Sequence, residues 1–223
     1  MIIPSTLPQF KNQELLVTAL THRSALNEGI SSSSVSNERL EFLGDAVLEL
    51  ATTNFLFNKL PDEPEGTLTA FRSALVKTTT LAQIAQKLGI NEALMMSKGE
   101  KRTGGHNNPS LLADTFEAVL GAIYLDQGYD AVDTFLHTHL FPEFDHIQEN
   151  QLHRDFKSSF QELVQAKGQP TPTYEVLSET GPDHQKEFTV GVFIGKQMIA
   201  KAVGASKQKA QEAAAKAALE KMQ

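Results

Sequence analysis

The sequence predicts a multidomain chain: an all-α domain over residues 1–147, then a small α+β domain (α-β-β-β-α) over 155–223, joined by a linker at 148–154. Three observations carry this reading. Apolar residues recur at three- and four-residue steps through the first part, the signature of amphipathic helices. After residue 154 the pattern changes to short β-rich runs between two helical ones. Charge changes at the same place. Residues 155–223 hold nine Lys against eight Asp+Glu, a net of +1, whereas the other 154 residues hold 11 Lys+Arg against 19 Asp+Glu, a net of −8.

In chain order, "QELLVTALTHRSAL", "NERLEFLGDAVLELATTNFLFNKL", "GTLTAFRSALVKTTTLAQIAQKLG", "PSLLADTFEAVLGAIYLDQG" and "YDAVDTFLHTHLFPEF" each keep the helical period. "EGISSSSVSN", "PDEPEG" and "KGEKRTGGHNNP" between them read as turns and loops. No strand is expected in this part. Residues 148–154, "QENQLHR", are polar and without core pattern. "DFKSSFQELVQAKG" is then a short amphipathic helix, "TYEVLSE", "KEFTVGVFI" and "QMIAKAVG" are three strands, and the alanine-rich "SKQKAQEAAAKAALEKM" is the closing helix. Such a unit is viable as a sheet backed by two helices.

Composition excludes several classes. The chain has 223 residues, 40% hydrophobic and 21% charged, ordinary for a globular protein. No stretch reaches the roughly 18 apolar residues of a membrane span, so no membrane partner is expected. The start lacks the basic-then-apolar pattern of a secretory signal. Cysteine is absent, which rules out disulfides and thiolate metal sites and fits a cytoplasmic location.

The acids in "NERLEFLGDAVLEL" carry the chemistry. On a helix, Glu38, Glu41 and Asp45 fall within about 60° of one another. Leu40, Phe42, Leu43, Ala46, Val47, Leu48 and Leu50 take most of the remaining circumference, so this helix is expected to be buried nearly all round. Glu49 shares the azimuth of the acids one turn on, and Arg39 interrupts the apolar arc. In "SLLADTFEAVLGAIYL", Asp114 and Glu117 repeat the pattern. Like charges at this spacing cost a helix about 0.2–0.5 kcal/mol per pair, more when desolvated. Two apolar helices sharing that arrangement call for a cation, and carboxylates without His or Cys favour a hard one, Mg²⁺ or Mn²⁺ in its place. An isolated acid pair three apart is more often a solvated face. "EFDH", Glu143 to His146, has the Glu-x-x-His spacing of di-iron bundles but occurs once where two are needed.

"NERLEFLGDAVL" closely resembles the signature of the ribonuclease III family. The similarity extends to "ALTHRS", to Glu65 in "PEG" and to "LLADTFEAVLGAIYLD", and the last 69 residues resemble a double-stranded-RNA-binding domain. The resemblance implies a metal-dependent endonuclease that cuts double-stranded RNA to 5′-phosphate and 3′-hydroxyl ends with short 3′ overhangs, in ribosomal-RNA precursor and mRNA processing, with no organic cofactor. It implies that Glu41, Asp114 and Glu117 hold Mg²⁺. Asp45 would hold it directly or through water, and Glu38 and Glu65 would complete the acidic cluster. It implies a homodimer in which the signature helices meet and Phe42 packs into the partner. Gln161 and Glu162 would meet 2′-hydroxyls in one minor groove, His184 would enter the other, and Lys207 and Lys209 would meet the phosphates between. A non-catalytic RNA-binding relative is disfavoured, because a retired site has no need to hold six acids together. Relatives often carry a second basic residue where Gln208 stands, and Arg or Lys within "HNN", His106 to Asn108. The missing cations lead to an expectation of weaker and more salt-sensitive RNA binding.

Overall fold

The computed structural model describes residues 4–182 and 185–222. The chain divides into two compact units, Met1–His153 and Arg154–Gln223. In the first, the helices are α1 (Gln13–Ala19), α2 (Arg23–Leu26), α3 (Glu38–Lys59), α4 (Glu65–Val76), α5 (Thr78–Lys87), α6 (Ile90–Ala93), α7 (Lys98–Arg102), α8 (Pro109–Gln127), α9 (Tyr129–His139) and α10 (Glu143–Glu149). Helix α8 is the axis of the unit. Its Leu112, Phe116, Val119, Leu120 and Ile123 are fully buried, and they share one core with Leu48 and Ala51 of α3, Leu81 and Ile84 of α5 and Leu136 of α9. A second cluster joins Leu56, Phe71, Leu75, Phe144 and Ile147. The chain after α10 stays on this unit, with the His153 ring stacked 3.8 Å from that of Phe71.

Three runs that read as single helices are broken: 13–26 by a contact with a distant segment, 66–89 by a local side-chain hydrogen bond, and 129–144 at Leu140–Pro142 between α9 and α10. Helix α1 stops at Ala19 because the next residues pair with a distant segment. Met95 donates its N–H to Leu20 O at 2.8 Å, and His22 donates to Met95 O at 2.9 Å, closing an isolated parallel bridge between Thr21 and Met95. His22, extended at ψ 146°, then caps α2 by accepting the Ser24 N–H at Nδ1 (3.3 Å). The run 66–89 breaks at Lys77, also extended, where the Thr80 hydroxyl donates to Ala74 O at 3.0 Å and joins α4 to α5. A threonine run lends itself to this, since its hydroxyls compete for backbone acceptors. The loop "KGEKRTGGHNNP" contains α7 and a 3₁₀ turn at Gly105–Asn107.

The expected all-round burial of α3 is corrected. Leu40, Val47, Leu48, Ala51 and Leu56 face the core, but Phe42 is 82% exposed, and Leu50, Phe57, Ala46 and Arg39 are exposed with it. These residues lie on one side of the helix. Local periodicity counts apolar residues without distinguishing those buried in the monomer from those left at its surface.

The second unit carries α11 (Phe156–Ala166), β1 (Thr173–Thr180), β2 (Glu187–Ile194), β3 (Gln197–Gly204) and α12 (Lys207–Met222). The strands form one antiparallel sheet with β2 central, Val192 lying opposite Tyr174 and Ala200. Phe160 and Val164 of α11 pack with Val192, Ala200 and the alanines Ala214, Ala215 and Ala218 of α12. Small side chains let α12 lie close to the sheet. Asp155 caps α11 by accepting the Ser158 N–H at 3.0 Å. His184, expected to enter a minor groove, lies outside the described residues.

Candidate active site

Two glycines determine how the acids meet. A Cβ on Gly44 would strike the Glu117 carbonyl and come within 2.9 Å of Gly121 N. One on Gly121 would strike the Leu40 carbonyl and lie 3.2 Å from Gly44 N. The backbones of α3 and α8 therefore touch at a Gly44–Gly121 crossing that no larger residue permits. Glu41 and Asp45 flank Gly44 on one helix, and Asp114 and Glu117 precede Gly121 on the other, so the crossing brings the two acid pairs together.

One carboxylate oxygen from each of Glu41, Asp114 and Glu117 lies within 4.8 Å of the others. Among the described residues, this metal-competent group comprises those three, all half-buried, and Glu38, Asp45 and Glu65 fall outside it. Asp45 is exposed but near enough for its charge to act on both Glu41 and Glu117. Glu38 is held elsewhere, its Oε2 accepting the Ser36 hydroxyl at 2.8 Å and its Oε1 lying 3.6 Å from Arg23 Nη1. Glu65 is exposed in the first turn of α4, where it accepts the Thr69 hydroxyl at 3.2 Å. Glu49 pairs with Arg72 Nε at 3.0 Å.

The electrostatics report crowding. Burial, then the charges of Asp45, Asp114, Glu41 and Glu49, push the Glu117 carboxyl up to about 8. Burial, then Asp114, Glu38 and Asp45, raises Glu41. Burial raises Asp114 too, with His22 and a backbone hydrogen bond opposing it. Carboxyls with displaced titrations converging in a cleft are the pattern of a functional site, and an all-oxygen donor set suits a hard divalent cation. The first turn of α3 also favours negative charge at Glu38 and Glu41 through the helix dipole.

Sequence reasoning assigned no role to His22 and Arg23, or to the two glycines. The first two line a cleft of about 430 Å³ together with Glu38, Glu41 and Asp114. Their signal lay in "ALTHRS", a basic pair whose neighbours in space only the fold reveals. Asn108, in "HNN", caps α8 by accepting the Ser110 N–H at 3.0 Å, with Pro109 as the first helical residue. In the second unit, Gln161 and Glu162 are exposed on α11, and Lys207 and Lys209 are exposed in the first turn of α12. Lys207 Nζ lies 5.7 Å from the centre of the Phe188 ring, and Ser206 Oγ accepts the Lys209 N–H at 3.2 Å.

Comparison with known proteins gives the arrangement its context. Residues 12–144 match the Ribonuclease-III-like family, and residues 156–222 match the double-stranded RNA binding motif. The protein called Ribonuclease 3 in Geobacillus kaustophilus is 47% identical over 211 residues, covering 95% of this chain and 85% of that protein. The one from Bdellovibrio bacteriovorus is 43% identical over 213 residues, covering 95% of this chain and 91% of that protein. Among solved structures, the nuclease domain of ribonuclease III from Campylobacter jejuni, studied for flexibility in its dimer-forming region, is 40% identical with a TM-score of 0.56. That match covers 61% of this chain and 92% of the Campylobacter one. No described helix is long and apolar enough to cross a membrane. The chain belongs to the ribonuclease III family of double-strand-specific endoribonucleases, with a double-stranded-RNA-binding domain after its nuclease domain.

Proposed function

We propose that the chain hydrolyses phosphodiester bonds of double-stranded RNA with Mg²⁺ held by Glu41, Asp114 and Glu117. The reaction adds water to phosphorus and breaks the bond to the 3′ oxygen, leaving a 5′-phosphate and a 3′-hydroxyl. The observation that carries this reading is the convergence of three half-buried carboxylates, from two helices, to within 4.8 Å. Bound there, Mg²⁺, or Mn²⁺ in its place, supplies positive charge that draws phosphate into an acidic cleft and offsets the charge that builds up on it. Glu41, Asp114 and Glu117 would together hold the ion, and Glu117, whose carboxyl burial and neighbouring charges push up to about 8, would give up its proton as the ion binds. Asp45, exposed at the edge of the group, orients water toward it, and Glu38 and Glu65 add charge around the cleft.

The RNA is gripped by the second unit. Gln161 and Glu162 reach 2′-hydroxyls across a minor groove, and Lys207 and Lys209 meet phosphates beside the first backbone amides of α12. The exposed side of α3 bearing Phe42 supports a homodimer, because an aromatic ring 82% exposed on an apolar stripe is costly unless a partner covers it. Two-fold pairing would offer one acid cluster to each strand of a duplex. Processing of ribosomal-RNA precursors and mRNA in the cytoplasm is the biological setting of this reading.

The test is cleavage of a labelled duplex, with single-stranded RNA as control, in Mg²⁺ and in EDTA. Cleavage is expected for the duplex with Mg²⁺ alone, with products that religate without prior phosphorylation. A Glu117→Gln variant that cuts at the wild-type rate in saturating Mg²⁺ overturns the assignment.

A further inference from the structure

The cleft beside the three acids has a basic wall. Arg23 stands at the first residue of α2 and Glu38 at the first residue of α3. The two helix starts are fixed to each other, because the N–H of Asn37, the residue before α3, donates to Thr21 O at 2.9 Å. The Thr21 segment is itself anchored to Met95, and Ser24 Oγ, 2.8 Å from His22 Nδ1, accepts the N–H of Ser97 at 3.0 Å. Arg23 Nη1 lies 3.6 Å from Glu38 Oε1, while Glu38 Oε2 accepts the Ser36 hydroxyl. Both Glu38 oxygens thus have partners outside the three-acid group.

An exposed pair of this kind contributes little to stability, with the Arg23 and Glu38 side chains 73% and 57% exposed. It does bias the Arg23 guanidinium toward the rim of the cleft, which both residues line. Glu41 and Asp114 of the three-acid group line this cleft, so where a polyanion approaches them a permanently charged, forked donor at the rim is suited to receive a phosphate. We propose that Arg23 binds an RNA phosphate flanking the one that is cut, and that Glu38 is its positioning residue rather than a ligand of the metal. The proposal rests on the reading of the acid cluster as the nuclease site.

Arg23→Ala, Arg23→Lys, Glu38→Gln and the Arg23→Ala/Glu38→Gln double variant test it, with wild type and Glu117→Gln as controls. Three quantities are read: KM and kcat on a labelled duplex, the Mg²⁺ concentration giving half-maximal rate, and the salt slope of duplex binding in a Glu117→Gln background. Arg23→Ala is expected to raise KM about tenfold and to lower the salt slope by about one, the loss of one phosphate contact. Arg23→Lys keeps the charge and recovers part of the loss. Glu38→Gln moves in the same direction as Arg23→Ala, leaves the Mg²⁺ midpoint unchanged, and adds nothing in the double variant. A shifted Mg²⁺ midpoint for Glu38→Gln, with effects that add in the double variant, overturns the positioning role. An unchanged salt slope for Arg23→Ala overturns the phosphate contact. If wild type itself fails to cut with Mg²⁺, or Glu117→Gln cuts as well as wild type, the nuclease-site reading fails instead, and the controls separate the two failures.

Discussion

Replacing Glu117 by glutamine should stabilise the metal-free protein while abolishing its activity. The folded chain pushes the Glu117 carboxyl from 4.5 up to about 8, chiefly by burial and then by four neighbouring carboxylates. A carboxyl raised on folding binds its proton more tightly in the folded state. The stability it contributes is complete below about pH 4.5 and is lost as pH climbs through about 8. The gap between those values sets a ceiling of about 5 kcal/mol. Glu117 is only half-buried, and solvent screening brings the usable part to roughly 1–2 kcal/mol. Glutamine keeps the shape and never ionises. In EDTA at pH 8, urea unfolding followed by circular dichroism should therefore show Glu117→Gln more stable by about 1–2 kcal/mol, with Tm higher by roughly 2–8 °C. At pH 5 the two proteins should nearly coincide. Excess Mg²⁺ should reverse the order, since a ligand at 100 times its Kd adds about 2.7 kcal/mol to the protein that binds it. A variant equal to or less stable than wild type at pH 8 in EDTA would refute the view that the acids are held together at a cost which a cation offsets.

Three further outcomes follow from the geometry. Gly44→Ala forces a methyl group into the Glu117 carbonyl, so it should cost about 1–3 kcal/mol or more by thermal unfolding and weaken Mg²⁺ activation by pushing the two helices apart. Phe42→Arg puts a charge on the exposed side of α3 and should shift sedimentation equilibrium from dimer to monomer without lowering the Tm of the monomer. Lys207→Ala and Lys209→Ala should each weaken duplex binding and lower its salt slope by about one. Because that slope counts the phosphates neutralised, the missing cations at Gln208 and "HNN" predict weaker binding with a shallower salt dependence; the expectation of greater salt sensitivity is corrected on this ground.

The acids were legible because helical spacing alone fixes their azimuth, and Glu41, Asp114 and Glu117 need only two helices crossing at the right height. What sets that height was not. Gly44 and Gly121 sit inside helical runs, where glycine reads as a weakness of propensity and nothing local shows a second backbone lying against it. The breaks at Thr21 and Lys77 were hidden for the same reason. Each depends on a partner remote in sequence or on a hydroxyl that has to find a particular carbonyl. In "HNN" the sequence showed missing charge, whereas the fold shows that Asn108 is occupied as the cap of α8. An arginine there would give up a cap worth about 1 kcal/mol to add a cation.

Helix α3 joins these threads. Its buried side is packed by Leu40, Val47, Leu48 and Ala51, and its glycine lets α8 come close enough for Glu117 to share a pocket with Glu41. Its opposite side leaves Phe42, Leu50 and Phe57 exposed. Sequence periodicity merges the two sides, because both are apolar, and so overestimates how buried the helix is. The acids lie along the seam between them, next to the core on one side and next to the exposed stripe on the other. A change at Phe42 is therefore one helical turn from the acid cluster: Glu41 precedes it and Asp45 follows it by three residues. If a second copy covers Phe42, dimerisation also removes water from that flank of the cluster. Dilution of the enzyme to monomer should then raise the Mg²⁺ concentration needed for half-maximal cleavage as well as lower the rate. A Mg²⁺ midpoint independent of enzyme concentration across the dissociation range would show that the two sides of the helix act independently.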